Sequence, residues 1–226
     1  MGAIAQAWEH TRAEVPDHVT LVAVSKTKPL AAVEEAYGAG ARMFGENRVQ
    51  ELVGKHEQLT APDAPQRPNY PDLRWHQIGT LQRNKVKYIA PFVDLIHAVD
   101  QPALLAEINK RAGAHSRRIQ VLLQLHIAGE SSKFGLSPEE LAALLDAVDR
   151  GDYPNVDVQG LMGMATFTDD QRQVGREFAG LRRLFDQHGL QRQWSTLSMG
   201  MSGDWRIAVE EGSNMVRIGS AIFGAR

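Results

Sequence analysis

Cysteine is missing from all 226 residues of this chain. Its absence excludes a disulfide framework, a thiolate nucleophile, an iron–sulfur cluster and every zinc site that needs sulfur. Charge of one sign is also not in excess: 25 Lys and Arg stand against 27 Asp and Glu, a formal net charge of −2. That balance supplies no field to hold a polyanion, so bulk nucleic-acid binding is not expected. No apolar run approaches the roughly 20 residues a bilayer-spanning helix needs, so no membrane partner is expected. The first nine residues show neither a basic stretch nor an apolar one, which argues against a secretory leader; the expected location is the cytoplasm. What is there is an ordinary globular composition, 43% hydrophobic and 23% charged, with enough apolar residue for a sizeable core. The length admits one large domain or two small ones.

Short apolar runs alternate along the chain with longer amphipathic ones. Strands are expected at 20–24, 41–44, 73–79, 92–97, 119–125, 156–162, 196–199 and 215–218. Helices are expected at 29–39, 47–59, 83–90, 102–112, from 138 onward, at 170–188 and at 204–211. Pro102 falls in a first helical turn, Ser137 precedes Pro138 as a cap, and Gly189 is read as a helix stop. An additional amphipathic segment, 3–14, comes before the first strand. Strand–helix alternation implies parallel pairing with right-handed crossovers. Eight such units in about 200 residues make a single α/β domain over 1–226, a (β/α)8 TIM barrel with an extra N-terminal helix. The rival, a doubly wound open sheet, lacks a Gly-x-Gly-x-x-Gly after the first strand. One segment breaks the rhythm: Pro62, Pro65, Pro68 and Pro71 recur every three residues, a polyproline II spacing. It suits a proline-recognition ligand or a stiff connection, and loop composition favours the connection.

Barrels of this kind carry their chemistry at the C-terminal ends of the strands. After the first strand comes Ser25-Lys26-Thr27-Lys28, and after the second Gly45-Glu46-Asn47-Arg48. The seventh ends Ser198-Met-Gly-Met-Ser202-Gly203-Asp204 and the eighth Arg217-Ile-Gly219-Ser220. Loops after strands seven and eight often hold phosphate through backbone N–H groups, and Ser202, Gly203, Gly219 and Ser220 supply donors and close approach there. Lys26 ends an apolar strand, so its amine faces the barrel mouth, and Lys28 shares its parity. Desolvation and a like charge nearby both favour a neutral, nucleophilic amine fit for Schiff-base chemistry. The plainer alternative is a rim lysine paired with Glu46 or Glu210, and spacing does not say which lysine reacts. A lysine and a phosphate cup across one mouth suit a phosphorylated aldehyde, of which pyridoxal 5′-phosphate is the common example. Arg217 is a candidate partner for its pyridine nitrogen; arginine would donate and leave that nitrogen unprotonated, which weakens the ring as an electron sink. The plainer alternative for Arg217 is an ion pair with Glu210 or Glu211. A metal on His76, His97 and His126 lacks the usual ligand spacing, and a hydrolase lacks the Gly-x-Ser-x-Gly elbow, so no metal site is expected.

The motifs Ala23-Val-Ser-Lys-Thr-Lys-Pro29, Phe44-Gly-Glu-Asn47, Trp75-His-Gln-Ile-Gly79, Leu81-Gln-Arg-Asn-Lys85, Ser132-Lys-Phe-Gly135, Gly160-Leu-Met162, Leu197-Ser-Met-Gly-Met-Ser202 and Val216-Arg-Ile-Gly-Ser-Ala-Ile-Phe-Gly224 resemble the YggS/PROSC family, the pyridoxal phosphate homeostasis proteins. That family is similar in fold to the N-terminal barrel of alanine racemase, and the resemblance covers about 19–226. It implies that Lys26 forms the Schiff base and that Arg217 faces the pyridine nitrogen. It implies phosphate held around Ser202, Gly219 and Ser220, with Asn47 and Met201 beside the cofactor. Lys133 matches a family lysine without a firm contact. Departures are an N-terminal helix that looks short, the loop Gly129-Glu-Ser-Ser132 and the segment Met164-Ala-Thr-Phe-Thr168, none of them among the implied ligands. The implied function is to carry and buffer pyridoxal 5′-phosphate in the cell, as a monomer with apo-enzymes that use this cofactor as transient partners, without established turnover. A racemase of this fold draws a tyrosine base from a second, β-rich domain; the chain ends just after the eighth strand, so that domain is expected to be absent. The alternative is a true amino-acid racemase or decarboxylase, and a third reading is a barrel for a phosphorylated sugar or nucleotide.

Overall fold

The computed structural model describes residues 2–60, 70–129 and 134–225. Most of the proline-rich segment, and Lys133, lie outside the described residues. The strands are β1 (Thr20–Val24), β2 (Met43–Glu46), β3 (Arg74–Gln77), β4 (Leu95–Val99), β5 (Ile119–Gln124), β6 (Val156–Met162), β7 (Thr196–Met201) and β8 (Met215–Ile218). Each pairs in parallel with the next, and β8 pairs back to β1, with Val22 opposite Arg217 and Ala23 opposite Ile218, so the sheet closes into a barrel. The helices are α1 (Ala3–Glu14), α2 (Leu30–Gly38), α3 (Val49–Thr60), α4 (Val86–Ile89), α5 (Pro102–Ala114), α6 (Pro138–Asp149), α7 (Gln171–Arg192), α8 (Trp205–Glu210) and α9 (Ser220–Phe223). The architecture is the expected (β/α)8 barrel with an additional N-terminal helix.

Strand alternation splits the core in two. Outward residues such as Phe44, Ile96, Val121 and Leu197 pack under helix residues such as Leu52, Leu105, Leu144 and Phe178. Inward residues Val22, Leu95, Leu122, Met162 and Met215 fill the lower barrel, with Met43 against them. Burying each such side chain favours folding by about 1.5–3 kcal/mol. Helix α1 is tied to this frame by Trp8 and by Glu35 of α2, whose Oε1 accepts from the amides of Ile4 and Ala5 at 2.9 and 3.1 Å. A carboxylate on those orphan N–H groups serves as a cap borrowed from another helix.

Local chemistry sets most boundaries. Ser137 and Glu140 form a full capping box at the start of α6, with Pro138 in its first turn. Helix α7 runs past Gly189 to Arg192, contrary to the expected stop. The helix ends instead on Gln193 in the left-handed region (φ 54°), with the Trp194 amide donating to the Gly189 carbonyl at 3.0 Å. Gly189 is small for a different reason: a Cβ there would lie 3.2–3.3 Å from Trp194. Strand β4 begins at Leu95 rather than 92, because Phe92 stacks on His56 (centroids 3.7 Å apart) and the Val93 amide closes a turn onto Ile89. The segment 83–90 divides into a 3₁₀ turn at Arg83–Lys85 and the single turn of α4.

Candidate functional site

Above the apolar inner layer the barrel holds a polar one. Arg217 (β8), Ser198 (β7), His97 (β4) and His76 (β3) are all buried inside the barrel. Arg217 Nη1 donates to the Ser198 carbonyl at 3.0 Å and to Ser198 Oγ at 2.5 Å, and Nη2 donates to the Gly163 carbonyl at 3.2 Å. The alternative, an ion pair with Glu210 or Glu211, is not formed: among the described residues the guanidinium hydrogen-bonds only neutral acceptors. Burial lowers the Arg217 pKa to about 10, an effect that Asp204 partly opposes, so the group stays charged at neutral pH. Three of the five guanidinium N–H groups are used in these bonds, leaving two for a ligand.

A chain of contacts runs on behind Arg217. Ser198 Oγ accepts from the guanidinium and lies 3.3 Å from His97 Nδ1, and His97 Nε2 lies 3.0 Å from His76 Nδ1, so one of those two ring nitrogens donates to the other. Burial lowers the His76 pKa to about 4, and burial, His76 and Arg217 together hold His97 well below the ordinary imidazole value. Both rings are therefore neutral at neutral pH.

Next to Arg217, the loops after β7 and β8 meet. Ser202 Oγ accepts from the Gly219 amide at 3.3 Å. The loop after β7 is a turn closed at both ends: the Met201 amide donates to Asp204 Oδ1 at 2.6 Å, and the Asp204 amide to the Met201 carbonyl at 3.1 Å. Gly200, at φ +96°, lets this turn lie against α8, since a Cβ would sit 2.6 Å from that of Ala208. Ser220 opens α9 and is exposed, as is Met201. The first N–H groups of that turn have no partner within it.

Lys26 follows β1 on a turn beside the same two strands and is half-buried. Thr27, next to it, has φ 65°, an unusual conformation for a β-branched residue. Lys28 does not crowd the mouth as its parity suggested: its Nζ reaches the Ala225 carbonyl at 3.0 Å. Asn47, after β2, is half-buried, and its carbonyl accepts from Gln77 Nε2 at 2.9 Å. Gly79 lies so close to Asn47 that a Cβ would fall 2.7 Å from its carbonyl oxygen. Thus Ser202, Gly219 and Arg217 touch or neighbour one another, Lys26 adjoins them across β1, and Asn47 stands one strand further on.

Sequence reasoning missed the network outside the barrel that carries this turn. Glu46 pairs with Lys55 of α3 at 2.6 Å, and Lys55 also bonds Glu51 at 2.8 Å and the Ser25 carbonyl at 2.9 Å. The available signal was that Lys55 lies on the buried stripe of α3 with Val49 and Leu52. Among the described residues no group of three metal-ligating side chains occurs, and His126 is exposed, away from the buried His76–His97 pair. Tyr37 and Tyr70 bond Asp72 and Glu34 at the opposite, N-terminal face.

A closed parallel barrel whose mouth gathers a lysine, a charged arginine on neutral partners and a Gly/Ser cup defines the class, a barrel of the alanine racemase N-terminal type; the model of the alanine racemase N-terminal domain matches residues 1–226. The pyridoxal phosphate homeostasis protein of Vibrio alginolyticus is 39% identical over 241 residues, covering 100% of this chain and 99% of that protein. PipY of Synechococcus elongatus, solved with PLP bound, is 37% identical with a TM-score of 0.86, covering 98% of this chain and 100% of that one. Alanine racemase of E. faecalis shares the fold at a TM-score of 0.74 with 16% identity; this chain spans 58% of its length. The chain belongs to the YggS/PROSC family of pyridoxal phosphate homeostasis proteins.

Proposed function

We propose that this chain binds pyridoxal 5′-phosphate at the barrel mouth and holds it reversibly, as a carrier and buffer of the cofactor and not as an enzyme. The observation that carries this reading is the convergence on three adjacent strands, β7, β8 and β1, of the Ser202–Gly219 contact, the charged Arg217 and Lys26. The homeostasis relatives and the PLP-bound PipY support it. The cofactor brings an aldehyde, which condenses with a primary amine to a Schiff base with loss of water. Lys26 is the amine. The hydroxyls of Ser202 and Ser220 and the amide of Ser220 take the phosphate, with the Gly219 amide orienting the Ser202 hydroxyl, while Asn47 and Met201 flank the ring.

Arg217 presents donors to the pyridine nitrogen. Its Ser198–His97–His76 support has no route for an extra proton, because both imidazoles are disfavoured as cations. The nitrogen therefore remains an acceptor, and the ring is a weak electron sink, which favours binding over α-proton chemistry. The chain acts as a monomer in the cytoplasm, and its partners are apo-enzymes that need this cofactor. The test is to incubate cofactor-loaded protein with amino acids in heavy water. The carrier reading expects no α-deuteration beyond that of free cofactor; catalysed exchange would make the protein a racemase or decarboxylase.

A further inference from the structure

Lys26 is bracketed by two residues that are tied from outside the barrel. Before it, the Ser25 carbonyl accepts from Lys55 Nζ at 2.9 Å, and Ser25 Oγ donates to Glu46 Oε1 at 2.6 Å. After it, the Thr27 amide donates to Glu51 Oε1 at 2.6 Å. Lys55 joins these anchors, bonding Glu46 Oε1 at 2.6 Å and Glu51 Oε1 at 2.8 Å, so its three N–H donors are all committed to this cluster. Lys55 and Glu46 are buried, at 5% and 0% exposure, between the barrel wall and α3. Glu46 points outward from β2 and Lys55 belongs to α3, so these side chains lie outside the barrel wall.

A buried ion cluster is weak ground for stability, since apolar side chains of similar size would fill the space without desolvating charge. This cluster instead spends its bonds on backbone and hydroxyl groups either side of one residue. One of those residues, Thr27, sits at φ 65°, a conformation that persists only where its surroundings impose it. We infer that Lys55, with Glu46 and Glu51, forms a clamp that sets the position of the Lys26 turn, and that Lys55 is a positioning residue for covalent capture of the cofactor. The inference rests on the reading of Lys26 as the capturing amine. A turn held on both sides presents that amine in one geometry; a released turn leaves the phosphate cup and Arg217 unchanged but misplaces the nucleophile.

Two ligands separate these effects. Pyridoxal 5′-phosphate uses cup, ring contacts and Lys26; pyridoxine 5′-phosphate has an alcohol in place of the aldehyde and uses only the first two. The variant is Glu46→Gln with Lys55→Met, which removes the Lys55 tie to the Ser25 carbonyl and its two ion pairs, and leaves no fully buried charge unpaired. Its borohydride-fixed adduct on Lys26 is expected to form about tenfold more slowly than in wild type, and pyridoxal 5′-phosphate to bind about tenfold more weakly. Pyridoxine 5′-phosphate affinity is expected to stay within about twofold of wild type. Unchanged capture, or equal loss of both ligands, would overturn the clamp. Should the double variant fail to fold, Glu51→Ala releases the Thr27 amide and one of the three Lys55 contacts and is read by the same ratio. A wild-type protein that forms no Lys26 adduct would instead defeat the cofactor reading itself.

Discussion

Replacing His76 by glutamine should flatten the acid side of the stability profile. In the folded protein burial lowers the His76 pKa from 6.5 to about 4. Because the folded value lies below the unfolded one, the unfolded chain binds the proton more tightly across that interval. Stability from this group is therefore complete above about pH 6.5 and drains away as pH falls toward 4. The gap of about 2.5 pH units corresponds to roughly 3.4 kcal/mol in all, of which about 2 kcal/mol is lost between pH 7 and pH 5. His97 adds loss in the same direction, and part of its own depression comes from His76, so the variant should lose slightly more of the pH dependence than His76 contributes alone. The assay is urea unfolding of wild type and His76→Gln at both pH values. The wild type is expected to lose about 2 kcal/mol more than the variant on acidification. Parallel losses, or a His76 imidazole that titrates near 6.5 by NMR, would refute the buried neutral pair behind Arg217.

Other substitutions probe the frame and the cup. Phe178→Ala, which empties a fully buried position under α7, should cost about 3–5 kcal/mol by urea unfolding. Gly160→Ala places a Cβ 1.9 Å from the Thr196 carbonyl at φ +150°, so β6 and β7 must separate; a lowered thermal midpoint, with a loss of about 3 kcal/mol, is expected. Ser202→Ala removes one hydroxyl from the proposed phosphate cup and should weaken pyridoxal 5′-phosphate about fivefold in an absorbance titration, with the thermal midpoint unchanged.

The fold was largely legible because strand and helix periods differ and each strand's inward and outward residues enter different cores. Strands β1, β6 and β8 match their expected ranges: β1 is a compact apolar run, while β6 and β8 set polar residues between apolar ones. Errors arose where tertiary contacts overrode local pattern. Phe92 is apolar but stacks on His56 instead of joining β4, and Gly189 is small to admit Trp194 instead of stopping α7. At the site, strand ends and Gly/Ser turns pointed to Lys26, Ser202, Arg217 and Gly219. The partners did not follow from spacing: Glu46 finds Lys55 across the sheet–helix boundary, and Ser198 joins residues more than a hundred positions apart through His97. Such pairings depend on which strands become neighbours in the closed barrel, which no local window contains.

Capture of pyridoxal 5′-phosphate on Lys26 at this barrel mouth is read by loading the protein with the cofactor, reducing with borohydride and mapping the modified peptide by mass spectrometry. One cofactor per chain, fixed on Lys26, is expected, and no fixed cofactor in Lys26→Ala protein that retains its thermal midpoint. An adduct on Lys28, Lys55 or Lys85, or none at all, would contradict it.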